Sequence, residues 1–164
     1  MNDLLNELKD AKTELMQAIS TISQEKFNTV PFEGSWTPGQ VTDHVLKALN
    51  PGVLYGDTQP TQRQPDEKVA QTRSVFLNFD IKMKSPDFIL PSNEPLNKHV
   101  LLSNAEAKLN ELIEAVKTLD LSATCLAFEL PGAGTFTRLE FAWFFIFHTK
   151  RHIYQLKNIA KALA

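Results

Sequence analysis

Proline and glycine, the residues that a long helix excludes, are confined to two parts of this chain. Of nine prolines and six glycines, twelve lie between Pro31 and Pro95, and the others are Pro131, Gly132 and Gly134. Residues 1–30, 96–130 and 135–164 contain neither. That distribution predicts three long helices around a punctuated middle. With 164 residues, 43% of them hydrophobic and 22% charged, the chain is expected to form one domain, 1–164, able to bury a core.

Local signals refine the sketch. Leu4, Leu8, Ala11, Leu15, Ile19 and Ile22 recur at helical spacing, so helix one should run from a cap at Asn2 or Asp3 to near Ser23. Trp36-Thr37-Pro38-Gly39-Gln40 reads as a helix start, with Thr37 as cap, Pro38 in the first turn and Gln40 closing a capping box. Val41, Val45, Ala48 and Leu49 are the inward residues of helix two, which Asn50-Pro51-Gly52 stops or breaks. Residues 51–102 are expected to be a long crossover, with a helix from Asp66 to about Asn78 and an extended run over Phe88–Pro91. Ser103–Glu106 reads as a second capping box, opening a helix three that buries Leu102, Ala105, Leu109, Leu112, Ile113 and Val116 and ends near Leu119. Thr137–Glu140 is a third, after which nothing interrupts a helix to about Leu163, nearly 40 Å long at about 1.5 Å per residue. No useful period-2 alternation appears, so the expected fold is an all-α four-helix bundle with a long connection between helices two and three.

Charge and cysteine content exclude several functions. A net charge of −2 gives no reason to expect a nucleic-acid partner. Arg138, Lys150, Arg151, Lys157 and Lys161 face only Glu140 and read as a solvated helix face. Met1–Leu4 does not open a signal peptide and no segment offers a membrane span, so a cytoplasmic location is expected. One cysteine, Cys125, permits neither an internal disulfide nor a thiolate metal cage. A metal here would need nitrogen and oxygen ligands.

The histidines supply such ligands. His148 and His152, at i and i+4, lie one turn apart on one helix face and can converge on one ion. The same face carries Phe141, Phe144 and Phe145 and points inward. His44 lies on the inward stripe of helix two. Either the three imidazoles form a three-nitrogen metal shell with an open position, or His44 is a satisfied core residue and the pair a surface coincidence. His99, among Asn97 and Lys98, is expected to be exposed.

The Trp36–Gln40 helix start with His44 four residues beyond it, and His148-x-x-Arg151-His152-x-x-Gln155 on the last helix, resemble the DinB-like (YfiT-like) superfamily of metal-dependent enzymes. The resemblance implies a bundle of up-down-down-up topology, with one divalent metal, zinc, nickel or iron, held by His44, His148 and His152. It also implies a homodimer and a small-molecule substrate, with hydrolase or thiol-dependent S-transferase chemistry, the latter using a low-molecular-weight thiol. The run Phe76–Ile81 and the run Ser85–Ile89 in the crossover depart from the family pattern and suggest a subgroup of its own.

Three neighbours of the histidines are candidate supports. Gln155 could hydrogen-bond an imidazole or a buried carbonyl, Arg151 could hold an acidic substrate or an acidic neighbour, and Asp43, beside His44, could be a partner that supports it or a solvated acid, the latter being the reading favoured. Glu140 is explained by its capping box, and Trp36 by stapling the start of helix two. Phe141–Phe147 is apolar on every side and must be covered by the crossover or by a second subunit. A metal-dependent enzyme, a non-catalytic metal-binding bundle and a dimerising module all remain open.

Overall fold

Each breaker-free stretch carries one long helix. The computed structural model describes residues 1–164. In chain order its helices are α1 (Asn2–Ser20), α2 (Gln24–Phe27), α3 (Pro38–Ala48), α4 (Gly52–Tyr55), α5 (Val69–Phe76), α6 (Lys98–Thr118) and α7 (Arg138–Leu163). Two short strands, β1 (Thr58–Gln59) and β2 (Thr124–Cys125), pair antiparallel with Thr58 opposite Cys125. Helices one to four of the sequence pattern are α1, α3, α6 and α7. No helix is long and apolar enough to cross a membrane.

Caps explain where the helices begin. Both halves of the capping box form at Thr37 and Gln40 and again at Thr137 and Glu140. The Ser103 box does not form. Asn97, five residues upstream of Leu102, accepts from the Val100 N–H and starts α6 at Lys98, so Ser103 lies inside a helix that is already running. At the other end of the first bundle helix, α1 stops at Ser20, because Ser23 caps the separate turn α2. In the crossover, α5 is shorter than expected, and Phe88 and Ile89 belong to a 3-10 turn (Asp87–Ile89) rather than an extended run.

Ion pairs and side-chain caps give the helix directions. Lys150 pairs with Glu7 and Lys157 with Glu14, so α7 runs parallel to α1. Lys12 donates to Asn110 and Lys98 to the Ile22 carbonyl, so α6 runs antiparallel to α1. The start of α3 lies against Leu96, and Lys108 donates to the Leu46 and Leu49 carbonyls at its end, so α3 and α6 are parallel. The result is an up-down-down-up four-helix bundle. Part of the basic run on α7 is thus spent on α1 rather than left to solvent.

The core gathers Leu8, Leu15 and Ile19 of α1, Leu109 and Leu112 of α6, and Phe141, Ile146 and Leu156 of α7, all less than 2% exposed. Along Phe141–Phe147 every side chain is buried except Trp143, which is partly covered and stacks on Phe147. Cover comes from the chain itself, with both α1 and α5 of the crossover packing along α7.

One carboxylate holds that arrangement. Glu140, 0% exposed at its side chain, accepts from both Arg63 guanidinium nitrogens at 2.6 and 2.7 Å, from the Lys68 N–H at 2.8 Å and from the Thr137 N–H at 2.9 Å. Burial alone would raise its pKa, but these donors outweigh burial and hold it below the usual carboxylate range. Its role therefore exceeds capping: it ties residues 63–68 of the crossover to the first turn of α7. Glu140→Ala leaves the Lys68 and Thr137 N–H groups and the partly exposed Arg63 guanidinium without their acceptor and should cost about 1.5–3 kcal/mol in urea unfolding followed by far-UV circular dichroism. A loss under about 1 kcal/mol, the worth of a surface pair, would contradict this role.

Candidate metal centre

The three histidines predicted from sequence meet. His44 lies two turns into α3, where the Thr37 cap and Gly39 fix how the helix approaches its neighbours. A Cβ on Gly39 would stand 3.1 Å from the Phe27 carbonyl oxygen and 3.3 Å from Leu96 Cβ, so a larger residue would push α3 away. From there His44 Nε2 reaches His152 Nε2 at 3.1 Å and His148 Nε2 at 3.2 Å, and the last two are 3.2 Å apart. All three side chains are buried. His99 is exposed and takes no part.

This donor set fits a divalent ion. An ion about 2.05 Å from three imidazole nitrogens holds them about 2.9 Å apart at right angles and about 3.35 Å apart at tetrahedral angles. The observed edges fall between these limits. The proton arrangement points the same way. His44 Nδ1 donates to the Ile89 carbonyl at 2.9 Å, and His152 Nδ1 to the Gln155 amide oxygen at 2.7 Å, so both rings turn an unprotonated Nε2 toward the centre. Only His148 could place a proton among three nitrogens. Lone pairs crowded together away from water are costly, and a cation resolves them.

The surroundings keep the imidazoles neutral. Burial pushes the His44 pKa down, against the Ile89 hydrogen bond, which raises it. His148 is driven well below the ordinary value by burial and then by the charges of His152, His44 and Arg151. Burial, joined by the His44 charge, lowers His152 to about 3. Aromatic rings supply the dry environment: Trp36 lies 5.0 Å from the His44 ring, so it touches the site as well as stapling α3, while Phe144 and Phe76 lie 5.7 and 6.0 Å from His148.

Of the three candidate supports, Gln155 is where the first alternative put it, on an imidazole. Asp43 is not solvated. Its carboxylate accepts the Ser92 N–H at 2.8 Å and pairs with Lys47 at 2.9 Å, which fastens the crossover beside α3. Arg151 has no acidic neighbour and donates instead to the carbonyls of Phe76, Asn78 and Ile81. Sequence reasoning missed Arg63 and the Ile89 carbonyl. No periodic signal marks either, since each works through a fold-dependent partner.

Beside the triad opens a cavity of about 950 Å³, lined by the three histidines, by aromatic residues of α7 and by crossover residues between Lys68 and Ile89. Cys125 is buried, does not line it, and has its thiol pushed up to about 11 by burial.

The DinB superfamily model matches residues 7–156. The chain belongs to the DinB superfamily. Among solved structures, the fold of this superfamily member is similar to that of YfiT from Bacillus subtilis, at 13% identity and a TM-score of 0.63 over 99% of this chain and 86% of YfiT. YfiT is described as "a probable metal-dependent hydrolase with an unusual four-helix bundle topology". No curated protein matches the sequence.

Burying neutral imidazoles has a consequence for stability without metal. Unfolded, each titrates near 6.5. Below that pH the unfolded chain takes up protons that the folded triad refuses. Stability is therefore complete above about pH 6.5 and falls below it, by up to about 1.4 kcal/mol per pH unit for each imidazole. For His152 the loss continues to about pH 3. Urea midpoints of metal-free protein between pH 7.5 and 4.5 should show this slope, and His152→Phe should flatten it by one imidazole's share. A midpoint independent of pH from about 6.5 to 5 would contradict the neutral triad.

Proposed function

We propose that this chain is a metal-dependent enzyme of the hydrolase or thiol-transferase type acting on a small molecule, with His44, His148 and His152 binding one zinc, nickel or iron ion. The observation that carries the proposal is the convergence of three Nε2 atoms at the wall of a large cavity. A bundle that only stored metal would gain nothing from that space. Because its ligands are neutral, a divalent ion held there would keep its full charge and supply a Lewis acid able to lower the pKa of water or a thiol and to polarise a carbonyl.

The protein's own groups position and exclude. Gln155 and the Ile89 carbonyl hold two imidazoles in the ligating tautomer. Arg151 clamps the Phe76–Ile81 segment over the site. The cavity wall has no carboxylate, no cysteine and no hydroxyl hydrogen-bonded to a histidine, so it presents no activated oxygen or sulfur nucleophile of its own. The nucleophile then comes from solution, water in hydrolysis or a low-molecular-weight thiol in transfer.

Elemental analysis of untagged protein should find close to one divalent ion per chain, lost in His44→Ala and in His148→Ala. Full retention in both variants would overturn the ligand assignment. Gln155→Ala should keep the fold and weaken metal affinity about ten- to hundredfold, read by competition with a chelating dye. Esters, amides and thiol–electrophile pairs should include one that turns over and stops doing so on chelation. Metal binding with no turnover across the panel would favour a non-catalytic bundle.

A further inference from the structure

The cavity wall carries charge of one sign. None of its lining residues is acidic, although the chain has 19 Asp and Glu and a net charge of −2. Four are cations: Lys47, Lys68, Lys84 and Arg151. Lys47 is neutralised by Asp43. The other three have no carboxylate partner. Lys68 Nζ donates to the Ala133 and Thr135 carbonyls at 2.6 and 2.8 Å, Arg151 donates only to carbonyls, and Lys84 makes no hydrogen bond or ion pair. Carbonyls satisfy the donors but leave the charges uncompensated, beside low-dielectric walls where that matters most.

Much of the remaining wall is apolar, with Asn50, Gln71, Thr72 and Ser85 as polar exceptions. Phe76, Phe128, Phe136, Phe141, Phe144 and Phe145 all face the cavity. Along α7 the lining residues run from Phe141 to His152, about 16 Å at about 1.5 Å per residue. A polar ligand such as a sugar or nucleotide would strand hydroxyls against phenyl rings, at a cost of about 1–3 kcal/mol for each unpaired group. An apolar body with a single charged end would not.

We infer that the cavity binds an anionic amphiphile, an acyl or aryl chain ending in one acid group, with the chain against the phenylalanines and the acid received by Lys84 and Arg151 at the histidine end; Lys68, bonded to Ala133 and Thr135 beside the first turn of α7, stands at the other end. This names the substrate class of the proposed enzyme and rests on that reading for what happens to the ligand. Binding itself requires no metal, so the two can fail separately.

Isothermal titration of metal-free protein with decanoate, decanol and decyltrimethylammonium tests the inference. Decanoate should bind once per chain, about tenfold or more tighter than decanol, as a charge-assisted hydrogen bond implies, and the ammonium should not bind. Lys84→Gln, on an exposed segment whose loss of charge leaves the core untouched, should weaken decanoate about three- to tenfold and leave decanol unchanged. Equal affinity for decanol and decanoate, several decanoates per chain, or indifference to Lys84→Gln would overturn it. If that happens while His44→Ala still abolishes metal binding, the metal centre stands and the substrate class falls. If decanoate binds as expected while both histidine variants keep their metal, the reverse holds.

Discussion

The structure depends on how the crossover, irregular apart from α4, β1, α5 and one 3-10 turn, is attached to the bundle. Glu140 makes the main attachment. It starts α7 through its capping box and, with the same two oxygens, takes the Arg63 guanidinium and the Lys68 amide. That bond sets where α5 begins, and α5 carries Phe76 against Phe144 and His148. Further along, Arg151 holds the carbonyls of residues 76–81, Asp43 holds the Ser92 amide, and His44 holds the Ile89 carbonyl. In each case a helix side chain grips the backbone of the loop. Crossover side chains are thereby left free to line the cavity.

The same logic explains what could be read from sequence. Breaker-free stretches and two of the three capping boxes located the bundle helices, because these signals are local. Ser103–Glu106 misled because it is a good cap only if no helix has already begun, and Asn97 begins one. His148 and His152 were legible because i,i+4 spacing on an uninterrupted helix fixes their relation. His44 was legible as inward-facing, but its meeting with the pair depends on α3 and α7 packing together, which periodicity does not encode. Asp43 and Arg151 were misread for a related reason: their partners are peptide groups far away in sequence, and every residue offers those. The cavity was invisible because residues 81–89 have no period.

Burying three neutral imidazoles with two lone pairs turned inward is a poor way to stabilise a metal-free protein. A leucine at each position would fill the same interior without desolvating nitrogen. The arrangement makes physical sense when the cost is set against an ion, whose binding free energy is available only to the folded chain and so becomes folding free energy. The rings of Trp36, Phe76 and Phe144 cover part of these imidazoles, and the cavity opens beside the rest.

Division of labour follows from this. The histidines sit on α3 and α7, whose mutual position is set by the hydrophobic core, so the chemistry they support is insulated from change elsewhere. On the proposed function, selectivity would fall to the exposed part of the segment between Lys68 and Ile89, which is held by its backbone and can exchange side chains at little cost to the fold. Lys84 illustrates the point: it is exposed, supports no helix and pairs with nothing, yet it faces the cavity. A charge placed there has no structural task to perform, whereas Lys108, also without a carboxylate partner, lies outside the cavity wall and caps the end of α3 through the Leu46 and Leu49 carbonyls. Where packing accounts for one cation and not for the other, the second is the one to assign to a ligand.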